Sequence, residues 1–221
     1  MSHLHGEVVL GRGLTGRNTP TLRWPRMLLT MSDEHLTETT IASAVLHRGR
    51  FITFRVDTVE DPLGQRHTRE IVEHPGAVCV VPLRGPDVLM VRQFRTPLGQ
   101  VLLELPAGTL DRLPDGSLED PASAAHRELD EETGYRAGSL RLLGRFWTAP
   151  GFTDELMHLY LATDLELLAN ASGPDEGEFL DLVPIPVSEA VAMAESGEIA
   201  DAKSLVGLLR LARLTEGGAL G

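Results

Sequence analysis

Residues 119–135 read Glu119-Asp-Pro-Ala-Ser-Ala-Ala-His-Arg-Glu-Leu-Asp-Glu-Glu-Thr-Gly-Tyr135. Asp120 is a natural N-cap, Pro121 suits the first helical position, and Gly134 sits where a left-handed C-terminal cap is wanted. The spacing therefore predicts a helix over 121–133. At about 100° per residue, Ala122, Ala125 and Leu129 share one face, while Glu128, Glu131 and Glu132 gather on another. Glu128 and Glu132 lie one turn apart. At about 5 Å, two bare carboxylates repel by roughly 1 to 3 kcal/mol for effective dielectrics of about 80 to 20. A cation belongs there. Arg127 supplies part of the compensation through its i,i+4 spacing to Glu131, and an oxygen-only ligand set also suits Mg²⁺ or Mn²⁺. The competing reading is a charged helix face that is simply solvated.

Composition narrows the partners. The 221 residues are 42% hydrophobic and 24% charged, ordinary for a globular enzyme, with a formal net charge of −12. That field repels nucleic acid, yet clustered carboxylates still accept an anionic substrate when divalent metal sits between them. The lone Cys79 excludes an intramolecular disulfide and reads as core. No run approaches the roughly 18 to 20 apolar residues of a membrane span, and the N-terminus lacks a signal-peptide core, so no membrane partner and a cytoplasmic location are expected.

Along the chain, residues 1–37 read as a flexible N-terminal tail, 38–74 as a β region and 75–216 as the main domain. Ile41 to Leu46 and Phe51 to Val59 predict an N-terminal hairpin, followed by the turn Asp61-Pro-Leu-Gly64. Strands are expected at Ala77 to Leu83, Val88 to Phe94, Val101 to Leu105, Leu140 to Phe146, Leu156 to Ala162 and Phe179 to Ile185. Helices are expected near Val187 to Ser196 and Lys203 to Leu214. Strands outnumber helices in a mixed order, the mark of an α+β fold or α/β sandwich.

The stretch from Glu119 resembles the Nudix box: Glu119, Arg127, Glu128, Leu129, Glu131, Glu132, Gly134 and Tyr135 all fall in register with that family's pattern. One departure is plain. The position of the box's opening glycine holds Leu113, and its counterpart Gly108 lies five residues upstream, which makes Thr109 to Leu118 a lengthened loop. Outside the box, Arg69 to Val78, Val91 to Arg95, Leu103 to Gly108, Ala149 to Glu155 and Gly197 to Lys203 are similar to recurrent segments of the ADP-ribose pyrophosphatase branch, in order. Together they cover about residues 40 to 215.

The resemblance implies an α+β fold built as a Nudix-type α/β/α sandwich with a mixed sheet and an N-terminal antiparallel β-hairpin region. It also implies Mg²⁺-dependent hydrolysis of ADP-ribose to AMP and ribose 5-phosphate. Metal ligands are then Glu128, Glu132 and the Ala107 carbonyl, with Glu131 assisting. The family often takes its base from a glutamate on a loop after the box, here Glu176 or Glu178 in Gly173-Pro-Asp-Glu-Gly-Glu178; a solvated turn is the alternative. Arg95, near a strand end, suits bidentate contact with a phosphate. Arg69 and Arg92 are further candidates, although strand alternation points Arg92 away from Gln93. Glu104 belongs by resemblance near the metal or the terminal ribose. Phe54, Phe146, Trp147 and Phe152 are candidates to stack on adenine, or else core. In the resembling enzymes the N-terminal hairpin exchanges between subunits, which implies a homodimer. Three alternatives are another nucleoside diphosphate sugar such as GDP-mannose, a non-catalytic ADP-ribose sensor, and clearance of oxidised nucleoside triphosphates.

Overall fold

The computed structural model describes residues 8–9, 33–174 and 177–217, and the chain divides into two compact units. The first comprises residues 1–74 with 151–154. Its strands are β1 (Val8–Val9), β2 (Thr39–Arg48), β3 (Thr53–Glu60) and β4 (Arg66–Glu73), an antiparallel sheet in sequence order. The expected hairpin is thus the centre of a larger sheet. The turn at Asp61–Gly64, with Gly64 at φ 78 and the Asp61 carboxylate accepting from the Leu63 and Gln65 amides, returns the chain into β4. Strand β4 is not expected from the sequence, because Arg66, His67, Thr68, Arg69 and Glu70 give it no apolar alternation. Of the residues read as a tail, Val8–Val9 pair with Ala44 and Ser43 and Glu34–Leu36 form a 3-10 turn; most others lie outside the described residues.

The second unit, residues 75–150 and 155–221, holds β5 (Ala77–Arg84), β6 (Asp87–Arg95), β7 (Gln100–Glu104), β8 (Ala107–Thr109), α1 (Pro121–Thr133), β9 (Tyr135–Trp147), β10 (Leu156–Leu167), β11 (Leu180–Pro186), α2 (Val187–Ser196) and α3 (Ala202–Glu216). The sheet order is β11-β6-β5-β10-β9, with β7 on β6 and β8 on β5. Strands β5 and β10 are parallel and the other pairings antiparallel, so the sheet is mixed.

Alternation along β5 explains the layers. Val78 and Val80 face Ala124, Ala125 and Leu129 of α1, while Cys79 and Val81 face the opposite cluster with Ala190, Ala194, Leu208 and Leu211 of α2 and α3. Helices therefore cover both faces, as an α/β/α sandwich. No helix among the described residues is long and apolar enough to cross a membrane.

Candidate active site

Helix α1 begins as its caps dictate. The Asp120 carboxylate accepts from the Ala122 and Ser123 amides at 3.0 and 3.1 Å, and Gly134 ends the helix at φ 74. The lengthened loop before it closes on itself: the Glu119 amide donates to Asp111 O (2.8 Å) and the Leu113 amide to Ser117 O (2.9 Å). Residues 112–118 thus form a short-circuited hairpin, and the extra length leaves the start of the helix undisturbed.

The acidic face is not a solvated one. Glu128 and Glu132 are only 8% and 6% exposed. Burial pushes the Glu128 carboxyl up to about 7 against the opposing pull of Arg127, and pushes Glu132 up to about 8 with help from Glu128. Arg127 is the local counter-charge: Nη1 donates to Glu128 Oε1 (2.7 Å) and Glu131 Oε2 (2.9 Å), and Nη2 to Glu119 Oε2 (2.9 Å). The Ala107 amide donates to Glu132 Oε2 at 3.1 Å. Exposed Glu178 adds like-charge repulsion to both Glu128 and Glu132. Glu176 lies outside the described residues.

Gly108 packs against the Glu128 carboxyl so tightly that any Cβ there would collide with it. A backbone strand, two buried carboxylates one helical turn apart and only oxygen donors fit a hard divalent cation that needs charge and space together. Among the described residues no three acids, imidazoles or thiols converge at coordinating geometry. Arg127 and the Ala107 amide hold the carboxylates to themselves instead.

The family model of the NUDIX domain matches residues 73–206, which contain this helix, the strand at Ala107–Thr109 and the sheet between the helices. The chain belongs to the Nudix family. A Bacillus methanolicus protein named methanol dehydrogenase activator is 42% identical over 170 residues, 76% of this chain and 89% of that one. The ADP-ribose pyrophosphatase of Bacillus subtilis (strain 168) is 41% identical over 170 residues, with the same coverage of each chain. A crystal structure of an ADP compounds hydrolase shares the fold with a TM-score of 0.70 at 25% identity, covering 82% of this chain and 95% of that one. Nudix hydrolases generally use divalent metal ions.

Beside the Nudix helix lies a cleft of about 450 Å³ lined by Arg95, Leu98, Glu104, Gly108, Thr148 and Lys203, among others. Glu104, 1% exposed, accepts from Arg95 Nε and Nη2 at 2.8 and 2.7 Å and from the Lys203 ammonium. Burial alone would raise its carboxyl, but those two cations outweigh burial and hold it below the ordinary carboxylate value. Among the described residues Arg95 Nη1 makes no hydrogen bond. Lys203 also bonds Asp201 Oδ1 (2.9 Å), the N-cap of α3, and Ser204 Oγ accepts from the Leu105 amide at 2.7 Å. Helix α3 is thereby tied to the segment carrying Glu104 and Ala107. Arg95 and Glu104 are expected from the sequence and Gly197 to Lys203 only as a family-like segment; the roles of Asp201 and Lys203 are not, their signal being an aspartate preceding a helix with a lysine two residues on.

The structure brings together Arg95, Glu104 and Ala107 around the cleft, and Glu128, Glu131, Glu132 and Glu178 around the helix. Arg92 is exposed and paired with Asp181 (3.6 Å). Phe146 packs against the core under α2 and α3, and Phe54 and Trp147 are half-buried. Arg69 and Phe152 belong to the N-terminal unit: Arg69 Nε donates to Glu38 at 3.0 Å, and Phe152 is 57% exposed while its carbonyl accepts from the Val72 amide at 2.8 Å.

Proposed function

We propose that this chain hydrolyses the diphosphate of ADP-ribose to AMP and ribose 5-phosphate, with Mg²⁺ or Mn²⁺ as cofactor, and works as a cytoplasmic homodimer. The observation that carries the reading is the burial of Glu128 and Glu132 one turn apart, on a helix packed against Gly108 of the cleft that holds Arg95. The 41% identity to an ADP-ribose pyrophosphatase supports the choice of substrate.

When bound by Glu128, Glu131, Glu132 and the Ala107 carbonyl, the cation supplies neutralisation of phosphate oxygens and a more acidic water. The remaining work belongs to side chains. Glu104 clamps one edge of Arg95 and leaves Nη1 for a phosphate oxygen. Arg127 pairs with both Glu128 and Glu131 and so restrains their carboxylates. Glu178, or Glu176 beside it in sequence, accepts the proton of the attacking water. Arg69 and Phe152 enter the proposal as substrate-binding residues. Exposed Ile41, Leu46 and Phe51 (43%, 54% and 51%) on the N-terminal unit support a self-association surface.

The test is product analysis with ADP-ribose, GDP-mannose and nucleoside triphosphates, each in Mg²⁺ and in EDTA. AMP and ribose 5-phosphate formed fastest from ADP-ribose, in Mg²⁺ only, is the expected result. Fastest turnover of GDP-mannose reassigns the sugar, and binding of ADP-ribose without turnover makes the chain a sensor.

A further inference from the structure

Strand β6 sends alternate side chains to the two faces of its sheet. Val88 and Met90 join the core under α2 and α3, so Leu89, Val91, Gln93 and Arg95 turn to the opposite face, the one that α1 covers. Leu89 and Val91 are buried aliphatics, and Arg95 is clamped by Glu104. Gln93 is the exception on that face. It is only 8% exposed, yet its Oε1 is sealed from solvent with no hydrogen-bond partner among the described residues.

The neighbours of Gln93 explain the missing partner. Directly opposite residues of an antiparallel pair share a face. Beside Gln93 these are Leu102 of β7 and Leu180 of β11, neither of which has a side-chain donor. Glu104 stands diagonally across, opposite Val91, but a carboxylate only accepts, and this one already accepts from Arg95 and Lys203. A buried acceptor without a donor destabilises the folded chain until a donor arrives.

The cleft is where a donor can come from. Leu102, directly opposite Gln93, and Arg95, two residues along the same strand, both line the cleft of about 450 Å³. From Glu104 the chain runs on to Ala107, whose amide donates to Glu132 at 3.1 Å, so this corner of the sheet is tied to the glutamate helix. Arg95 supplies charged donors, which match phosphate oxygens. A neutral carboxamide oxygen instead matches a neutral O–H.

We infer that Gln93 is a ligand-binding residue of this site, whose Oε1 accepts a hydrogen bond from an O–H beside the diphosphate, either a sugar hydroxyl of the substrate or a water on its divalent cation. The nature of the ligand rests on the proposed function. Because Gln93 has no partner in the ligand-free chain, its carboxamide contributes to binding and not to folding.

The experiment compares the full chain with Gln93→Met, close in volume but without an acceptor, and with Gln93→Leu. Melting temperature is measured in EDTA, and calorimetric titrations are run with Mg²⁺ alone and with ADP-ribose in EDTA. Both variants are expected to melt at or above the parent, while one of the two affinities falls about ten-fold. A fall in Mg²⁺ affinity assigns the donor to water on the cation, and a fall in ADP-ribose affinity assigns it to a sugar hydroxyl. Both affinities within about two-fold of the parent, or a lower melting temperature in both variants, overturn the inference. A parent that binds ADP-ribose without releasing AMP overturns the hydrolysis alone, since the same titrations still decide the role of Gln93. A parent that binds neither Mg²⁺ nor ADP-ribose overturns both.

Discussion

Gly108 lies directly against the Glu128 carboxyl, with no space for a Cβ between them. The obstructing atoms are the end of a flexible side chain, so a methyl group at 108 displaces Glu128 instead of the backbone. The consequence falls on function more than on stability. Gly108→Ala is expected to lower kcat on ADP-ribose about 100-fold while the melting temperature changes by no more than about 4 °C. Unchanged kcat would show that Glu128 does not act from this position.

The buried carboxylates couple metal to protons. The folded values of about 7 for Glu128 and about 8 for Glu132 lie above the ordinary 4.5. The folded protein therefore retains protons that the unfolded chain sheds, and its metal-free stability falls as pH rises from about 4.5 to about 8. A bound cation needs both groups ionised. Mg²⁺ binding should release protons at pH 7 and strengthen with pH, and it should raise the melting temperature most at alkaline pH. Calorimetric titration in buffers of different ionisation enthalpy measures the protons released; zero release contradicts the assignment of these two residues as ligands.

Glu104 has two cations and almost no solvent. Removing it strands Arg95 and leaves Lys203 with Asp201 alone in a partly buried place. Glu104→Ala should cost about 3 to 5 kcal/mol in denaturant unfolding, whereas Glu104→Gln, which keeps the packing and one acceptor, should cost less and raise KM through a loosened Arg95. Equal stability of the alanine variant and the parent would show that the ion pairs are marginal.

Cys79 gives a reporter of folding. Burial pushes its thiol up to about 12, so almost no thiolate exists at pH 8 and no reagent reaches it. A thiol-reactive chromophore should label the native protein only as fast as it opens, and the denatured protein at once. Immediate native labelling would contradict the packing of β5.

Much of this was legible in the chain because local rules and tertiary demands agree. Asp120, Pro121 and Gly134 bound α1 where their chemistry says, and the alternation of Val78 to Val81 sorts the two layers. What was hidden has physical causes. Strand β4 carries a charged sequence because its side chains are half-exposed, and β8 is three residues long, too short for any period. The burial of Glu128 and Glu132 could not be read from spacing, since a solvated acidic face has the same spacing. The Lys203–Glu104 pairing joins residues nearly a hundred positions apart, and only the docking of α3 reveals it.

AMP release from ADP-ribose in Mg²⁺, by the parent chain and by Glu132→Gln, tests the buried glutamate pair as the seat of catalysis. The amide keeps the shape and the bond from the Ala107 amide but removes the charge. Metal-dependent release by the parent that falls by at least about 100-fold in the variant is the predicted result. Equal release by both proteins would place the chemistry elsewhere in the fold.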